Sequence, residues 1–579
     1  MKKIVGIVLC LAVIVAAGFY FLPRGTVEVD SYARFLPPDV VGTVNLTHAA
    51  TLIDGFAASP LGKLLAKDTI HAIVQEMGGA PQKTAEYDHA YDSVAKLAND
   101  PAFRAVFGND ATLALLPLDR KALADKPEEA LRDSLVVIAR TSVAGALDML
   151  SRLIKSAQVS RETVDGLNLV KIIVEEGLVV YGHTEGSMVF LAFTPVAIKT
   201  CLTVGKGETA LDKNPSFQQA LAFWKPFPEA TTYSRMYLNT PAVVELLKTV
   251  TLPELEEAGA VLTEAVAMLA GVGAMYSIEY ETSQGMESRG YSGLTYDKLH
   301  PMMKSLIDAS ANKGNQTLHL LQESSLAYSW GASLQLGRVI KVMQDDDEEG
   351  YQEIDLVARE VLGSSLEELS HTFGPQYGVV LEDIINTSLF PWPKMTFFVE
   401  LSDRARAEKA LDGARSLIAR EGITNEEQEQ VAGQTVYSWP VLPGEAQPAV
   451  VLAGNMLYLS TSKLAIKAIL ESKAAPDALA APVAAQVGPE LSARIKAANT
   501  SSFVLFPARM SRQTGETLDW AAAMAASWGI RMERLKRELV QLMQSTQLVM
   551  ATTEVNRERM EWAMTIVRAK QPAASGGGK

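Results

Sequence analysis

The feature that most limits what this chain can fold into is a plan of strands and helices that it states twice. Ser134 to Ser142 (SLVVIARTS) reads as a buried strand, the helical pattern GALDMLSRLIKSA follows, and Val164 to Val174 (VDGLNLVKIIV) returns as strand. The same order and similar lengths recur in Met395 to Asp403 (MTFFVELSD), RAEKALDGARSLIA and Val431 to Val441 (VAGQTVYSWPV). Gly166 aligns with Gly433 and Ile198 with Ile466, and Thr231 to Pro241 corresponds to Thr500 to Pro507. Upstream, Asp39 to Phe56 parallels Ser325 to Met343. Each copy closes with two strands, VGAMYSIEYE and MESRGYSGL in the first, TQLVMATTEV and RMEWAMTIVRA in the second. Few residues are identical, so what repeats is a pattern.

Short polar connections, such as Thr184-Glu185-Gly186 and Glu281 to Gly285, allow antiparallel pairing and are too short for a parallel crossover. Gly166 and Gly433 stand just before alternating strands, where a tight turn with positive φ favours glycine. The expected fold class is therefore α+β: two tandem pseudo-repeats, each an antiparallel sheet covered by helices, after one N-terminal transmembrane helix.

That helix is expected because Ile4 to Leu22 form 19 unbroken apolar, aromatic or glycine residues behind Lys2 and Lys3. At 1.5 Å per residue the segment spans roughly 28 Å, close to the hydrocarbon thickness of a bilayer. Phe19 to Leu22 carry the apolar run past Ala16-Ala17-Gly18, which favours an uncleaved signal-anchor; cleavage near Ala17 is the alternative. The two lysines favour a cytoplasmic N-terminus. The expected division is a cytoplasmic stub 1–3, the anchor 4–22, a linker 23–35, a first α+β repeat 36–300, a second 301–570 and a flexible tail 571–579.

At 579 residues the chain can bury more than one core. A net charge of −14 with acidic residues spread throughout argues against nucleic acid as a partner. The two cysteines, Cys10 and Cys201, lie in incompatible settings, so no disulfide is expected, and Cys201 reads as a core residue.

Candidate chemistry is sparse. Glu86, Asp88, His89 and Asp92 would lie about one helical turn apart, the weak pattern of a metal cluster or of a solvated face. Asp345, Asp346, Asp347, Glu348 and Glu349 concentrate carboxylates but lack the alternating ligand spacing of a calcium loop. Gly205-Lys206-Gly207 lacks the spacing of a phosphate loop, and no nucleophile elbow occurs. Trp392, set between Pro391 and Pro393, is the aromatic expected to be exposed, since prolines do not join a central sheet. No catalytic, cofactor-binding or metal residue is assigned, and no cofactor is expected.

Leu36-Pro37-Pro38-Asp39, followed by Val40 to Asn45 (VVGTVN), resembles the start of a family of bacterial envelope proteins known as a domain of unknown function. The resemblance implies one N-terminal apolar segment and two related α+β copies over nearly the whole ectodomain, and implies no activity and no site residues.

The sequence thus leads to a membrane-tethered, extracytoplasmic binding or scaffolding protein without catalytic activity. It would sit single-pass in the inner membrane, held by Ile4 to Leu22, with its bulk in the periplasm and an unknown protein or envelope ligand as partner. A carrier or chaperone for an apolar ligand such as lipid is the second reading. An envelope hydrolase with sequence-distant residues is the third.

Overall fold

The computed structural model describes residues 32 to 569, apart from 142, 144, 152–157, 176–177, 208, 229–230, 249–265, 311–313, 388–389, 442–445 and 473. Ile4 to Leu22 and the tail from Gln571 lie outside the described residues.

In chain order the first ten strands are β1 (Gly42–Thr47), β2 (Asp110–Leu115), β3 (Leu135–Arg140), β4 (Gln158–Val164), β5 (Leu167–Glu175), β6 (Leu178–Glu185), β7 (Met188–Ala192), β8 (Thr232–Leu238), β9 (Val272–Glu281) and β10 (Gly285–Leu294). The next ten are β11 (Ala327–Gly331), β12 (Phe373–Asn386), β13 (Pro391–Leu401), β14 (Glu427–Val431), β15 (Gln434–Ser438), β16 (Ala449–Ala453), β17 (Met456–Ser460), β18 (Ser501–Leu505), β19 (Thr546–Val555) and β20 (Arg559–Arg568). In the first ten, β1 pairs with β2 and β8, β2 with β3, β3 with β7, β8 with β9, and β4 to β7 form successive hairpins. Ten strands later the scheme recurs: β11 pairs with β12 and β18, β12 with β13, β13 with β17, β18 with β19, and β14 to β17 form successive hairpins.

One part of the expected fold class needs correction. The sequence led to a separate sheet for each pseudo-repeat, whereas all twenty strands belong to one large antiparallel sheet with helices. Side-chain periodicity reports which face of a strand is buried and says nothing of which edge it pairs with. The edge of β10, whose N–H and C=O groups would otherwise lack partners, is taken by β20 from Gly285↔Val567 to Gly293↔Arg559. The expected transmembrane helix falls on Ile4 to Leu22, outside the described residues, and no helix among the described residues is long and apolar enough to cross a membrane.

The chain divides into two compact units. The first takes the described residues up to Lys304 with Gly529–Glu538 and Arg557–Val567; the second takes Ser305–Trp528, Leu539–Asn556 and the described residues from Arg568 onward.

In the first unit, alternate side chains of β2, β3, β7, β8 and β9 form a core with the helices Pro195–Val204 and Pro215–Trp224. Both helices begin with Pro at N1 behind a capping side chain, Thr194 and Asn214, which accept from the backbone N–H groups of Ala197 and Ser216. Phe217 meets Trp224 and Tyr237 edge-on, and the Trp224 indole donates to the carbonyl of Ser277 at 3.0 Å. Cys201 is fully buried in this core, and burial pushes its thiol up to about 12.

In the second unit, Tyr328, Val380, Phe398, Tyr458 and Val504 occupy one face of the sheet and are all buried, with the Tyr328 and Phe398 rings stacked 6.2 Å apart. The buried Tyr328 hydroxyl bonds Asn315 Nδ2 at 2.7 Å and Thr317 Oγ1 at 2.8 Å, and Trp330 donates to Gln376 Oε1 at 3.1 Å.

Candidate functional site

The opposite face of the second unit's sheet carries large apolar side chains in the open. Phe503 of β18, Val379 of β12, Phe397 of β13 and Leu459 of β17 fall in one cross-strand row, with Ser329 of β11 between Phe503 and Val379. Phe503, Phe397 and Leu459 are 38%, 48% and 50% exposed, and Tyr377 in the next row is 41% exposed. A strand turns alternate side chains to opposite faces, so MTFFVEL in β13 and MLYLS in β17, apolar at successive positions, must show hydrocarbon on both. One end of this face is closed by the helix Arg404–Arg420, where Ala407 and Leu411 pack on Phe373, Leu401, Leu452 and Leu457. The Phe397 row lies beyond that cover.

The strands beneath it are paired on both sides: β13 bonds β12 and β17 along Thr396–Glu400, and β18 bonds β11 and β19. The floor therefore offers side-chain hydrocarbon and no strand edge. Giving water up at four half-exposed Phe, Tyr or Leu side chains is worth roughly 1 kcal/mol apiece, a usable driving force for binding.

No protein-family model, curated protein or solved structure matches the chain.

Three of the eight acidic residues picked out in the sequence tie or cap helices. Asp88 contacts His71 Nε2 at 2.6 Å and Asp92 contacts Lys67 Nζ at 2.7 Å, so both tie the helix Ala85–Asn99 to the helix Lys67–Glu76. Glu86 and His89 are exposed on that helix. Asp345 and Asp346 end the helix Leu336–Asp346, while Asp347 caps the next, Glu348–Leu362, by accepting from Gly350 N at 2.9 Å. Glu348 and Glu349 fill that helix's first turn, where its dipole favours anions. No group of three His, Cys, Asp or Glu among the described residues could hold a metal ion.

Trp392 is half-buried, donates to the carbonyl of Thr461 at 3.2 Å, and pairs opposite Ile385. Its Pro-Trp-Pro segment enters β13 because β17 reaches only as far as Thr396, leaving Pro391–Met395 with β12 alone on one side. Among the tryptophans, Trp528 is the one in the open, 77% exposed. The sequence signal for the Phe397 row was the double-sided apolar strand, which reads as a strand buried on both faces.

The titratable groups shifted by burial sit inside the fold. Asp110 is held up by burial, against the Asn45 amide that donates to it at 2.7 Å and the neighbouring Arg140 and Arg235. Burial pushes Glu279 to about 7 although Ser234 Oγ donates to it at 2.8 Å. Burial lowers His319, whose ring meets the carbonyl of Pro476 at 3.3 Å.

Proposed function

We propose that this chain is a non-catalytic binding protein, held at a bilayer by the apolar segment Ile4 to Leu22, that takes its partner on the open sheet face around Phe397, Leu459 and Phe503. The observation that carries the reading is the exposed apolar row itself: Phe503, Phe397 and Leu459 in the open with half-buried Val379, in one row across five neighbouring strands that are paired beneath on both sides. A soluble surface of this kind marks an interaction site. The buried positions of Asp110, Glu279 and His319 support a non-catalytic reading, because each is closed off in the interior. An extracytoplasmic location follows from the charge flanking Ile4 to Leu22 and remains part of the proposal.

A second, narrower reading is a carrier for a hydrocarbon chain. It is favoured by the fully paired floor. An extended peptide laid there would bring N–H and C=O groups that the strands beneath cannot satisfy, whereas an acyl chain brings none. An apolar helix face, which satisfies its own backbone, is the competing occupant.

The test compares the full chain in bilayer discs with the variant Phe397→Ser, Leu459→Ser, Phe503→Ser, using anilinonaphthalene sulfonate as the probe. The native protein should show saturable dye fluorescence above that of the variant, with the same circular dichroism for both. Identical dye binding would remove the face as a binding surface.

A further inference from the structure

The first unit holds a different surface, on which the open sheet face has no bearing. A groove of about 740 Å³ runs between the segment at Pro37 and Asp39, the connection from β2 to β3, and the helix Pro195–Val204. Leu116, Pro117, Ala122, Ala130, Val196 and Ala197 give it an apolar floor, and Val196 is 69% exposed. Its rim is acidic: Asp39, Asp119, Asp125, Glu129 and Asp133 against one basic residue, Lys126.

Three of these carboxylates are engaged. Asp119 caps the helix Arg120–Asp125 through the N–H of Ala122 at 2.8 Å, Glu129 pairs with Lys126 at 3.1 Å, and Asp133 pairs with Arg132 at 2.9 Å. Asp39 and Asp125 are exposed on the rim, and no ion pair among the described residues engages them. The sheet does not require this surface. In the second unit β12 and β13, which hold the same places in the pairing scheme as β2 and β3, are separated by only four residues between Asn386 and Pro391. The first unit spends the residues from Leu116 to Ser134 on two short helices, Arg120–Asp125 and Pro127–Asp133, that wall the groove.

We infer that this groove binds a basic peptide segment of a partner protein, one that sets an apolar side chain on Val196 and Leu116 and lysine or arginine side chains against Asp39 and Asp125. Charge complementarity selects the occupant: an acidic rim over an apolar floor attracts cations from a distance and holds hydrocarbon at contact. A simple polyamine would use the rim and leave the floor wet.

The experiment measures anisotropy of a short fluorescein-labelled peptide of alternating lysine and leucine with the full chain in bilayer discs. The variants are Asp39→Asn with Asp125→Asn, Val196→Ser, and Glu348→Asn with Glu349→Asn as a pair of equal charge change elsewhere. Saturable binding should weaken roughly tenfold in the groove acid pair and measurably in V196S, weaken with added salt, and stay unchanged in the Glu348 and Glu349 pair. Any of four results would overturn the inference: no saturable binding, equal loss in both acid pairs, equal binding of an all-lysine peptide, or, measured alongside, loss with the triple variant Phe397→Ser, Leu459→Ser, Phe503→Ser in place of the groove variants.

Discussion

Phe397 of β13 stands directly opposite Leu459 of β17, and each leaves about half of its surface in water. Their neighbours Phe398 and Tyr458 point the other way and are buried, so the same short strands spend hydrocarbon on both faces of the sheet. A folding requirement explains the inner pair. The outer pair costs solubility without filling a core, which is why we read it as a surface kept for binding.

On that reading, replacing the outer pair should leave stability almost untouched. Phe397→Ser with Leu459→Ser is expected to change unfolding free energy by less than about 1 kcal/mol, as for exposed positions. Urea denaturation of the double variant against the native chain checks this, and a loss of several kcal/mol would show that the face is packed in the folded protein.

Glu279 predicts a pH dependence. Its folded value near 7 lies above its ordinary 4.5, so the folded chain binds the proton more tightly. The stability linked to that proton is present below about 4.5 and is lost as pH rises through about 7. Glu279→Gln keeps a group able to meet Ser234 Oγ and removes the titration. It should match the native protein at pH near 4 and exceed its stability by up to about 3 kcal/mol above pH 8. Equal differences at both pH values would contradict the assignment.

The turns after β4 and β14 make a matched pair. Gly166 and Gly433 have φ of 81° and 78°, and the residues before them, Asp165 and Ala432, are also left-handed at 53° and 51°. Two positive φ values in a two-residue hairpin loop define the turn that matches strand twist, and Asn or Asp suits its first position better than Ala. Ala432→Asn is therefore expected to raise the melting temperature, by about 1 kcal/mol of stability. A scanning calorimetry trace without an upward shift would count against it.

Gly290 of β10 lies opposite Trp562 of β20, and a Cβ at Gly290 would overlap the indole ring. The absent side chain is what lets the tryptophan lie across the strand. Gly290→Ala should destabilise by about 1–3 kcal/mol, and Gly290→Ala combined with Trp562→Leu should recover part of the loss. An additive double variant in chemical denaturation would exclude this contact as the cause.

Much of the strand grammar was readable in the residues. The glycines before β5 and β15, the short loops that force antiparallel pairing and the cores on alternating strands all follow from local steric rules and period-two patterning. The single sheet was not readable, because the partner of β10 is set by an open edge and not by any periodicity within MESRGYSGL. The acidic run at Asp345 to Glu349 shows the same limit. Its residues announce charge, but only the break between two helices shows that Asp347 serves as a cap. Phe397, Leu459 and Phe503 were visible as apolar letters, yet a strand that is apolar on both faces ordinarily means burial on both. For the groove, Asp39 and Val196 are far apart in the chain, and only the fold brings them to one surface.

The most direct test of the open face is photolabelling of the full chain in bilayers containing phosphatidylcholine with a diazirine on its acyl chain, coupled to peptide-resolved mass spectrometry. Adducts are expected on the strands that hold Phe397, Leu459 and Phe503, lost in the triple serine variant, together with labelling of Ile4 to Leu22. Adducts confined to Ile4 to Leu22, with none on those strands, would contradict the hydrocarbon reading. If the same strands also failed to bind the anilinonaphthalene dye, the open face would carry no binding function.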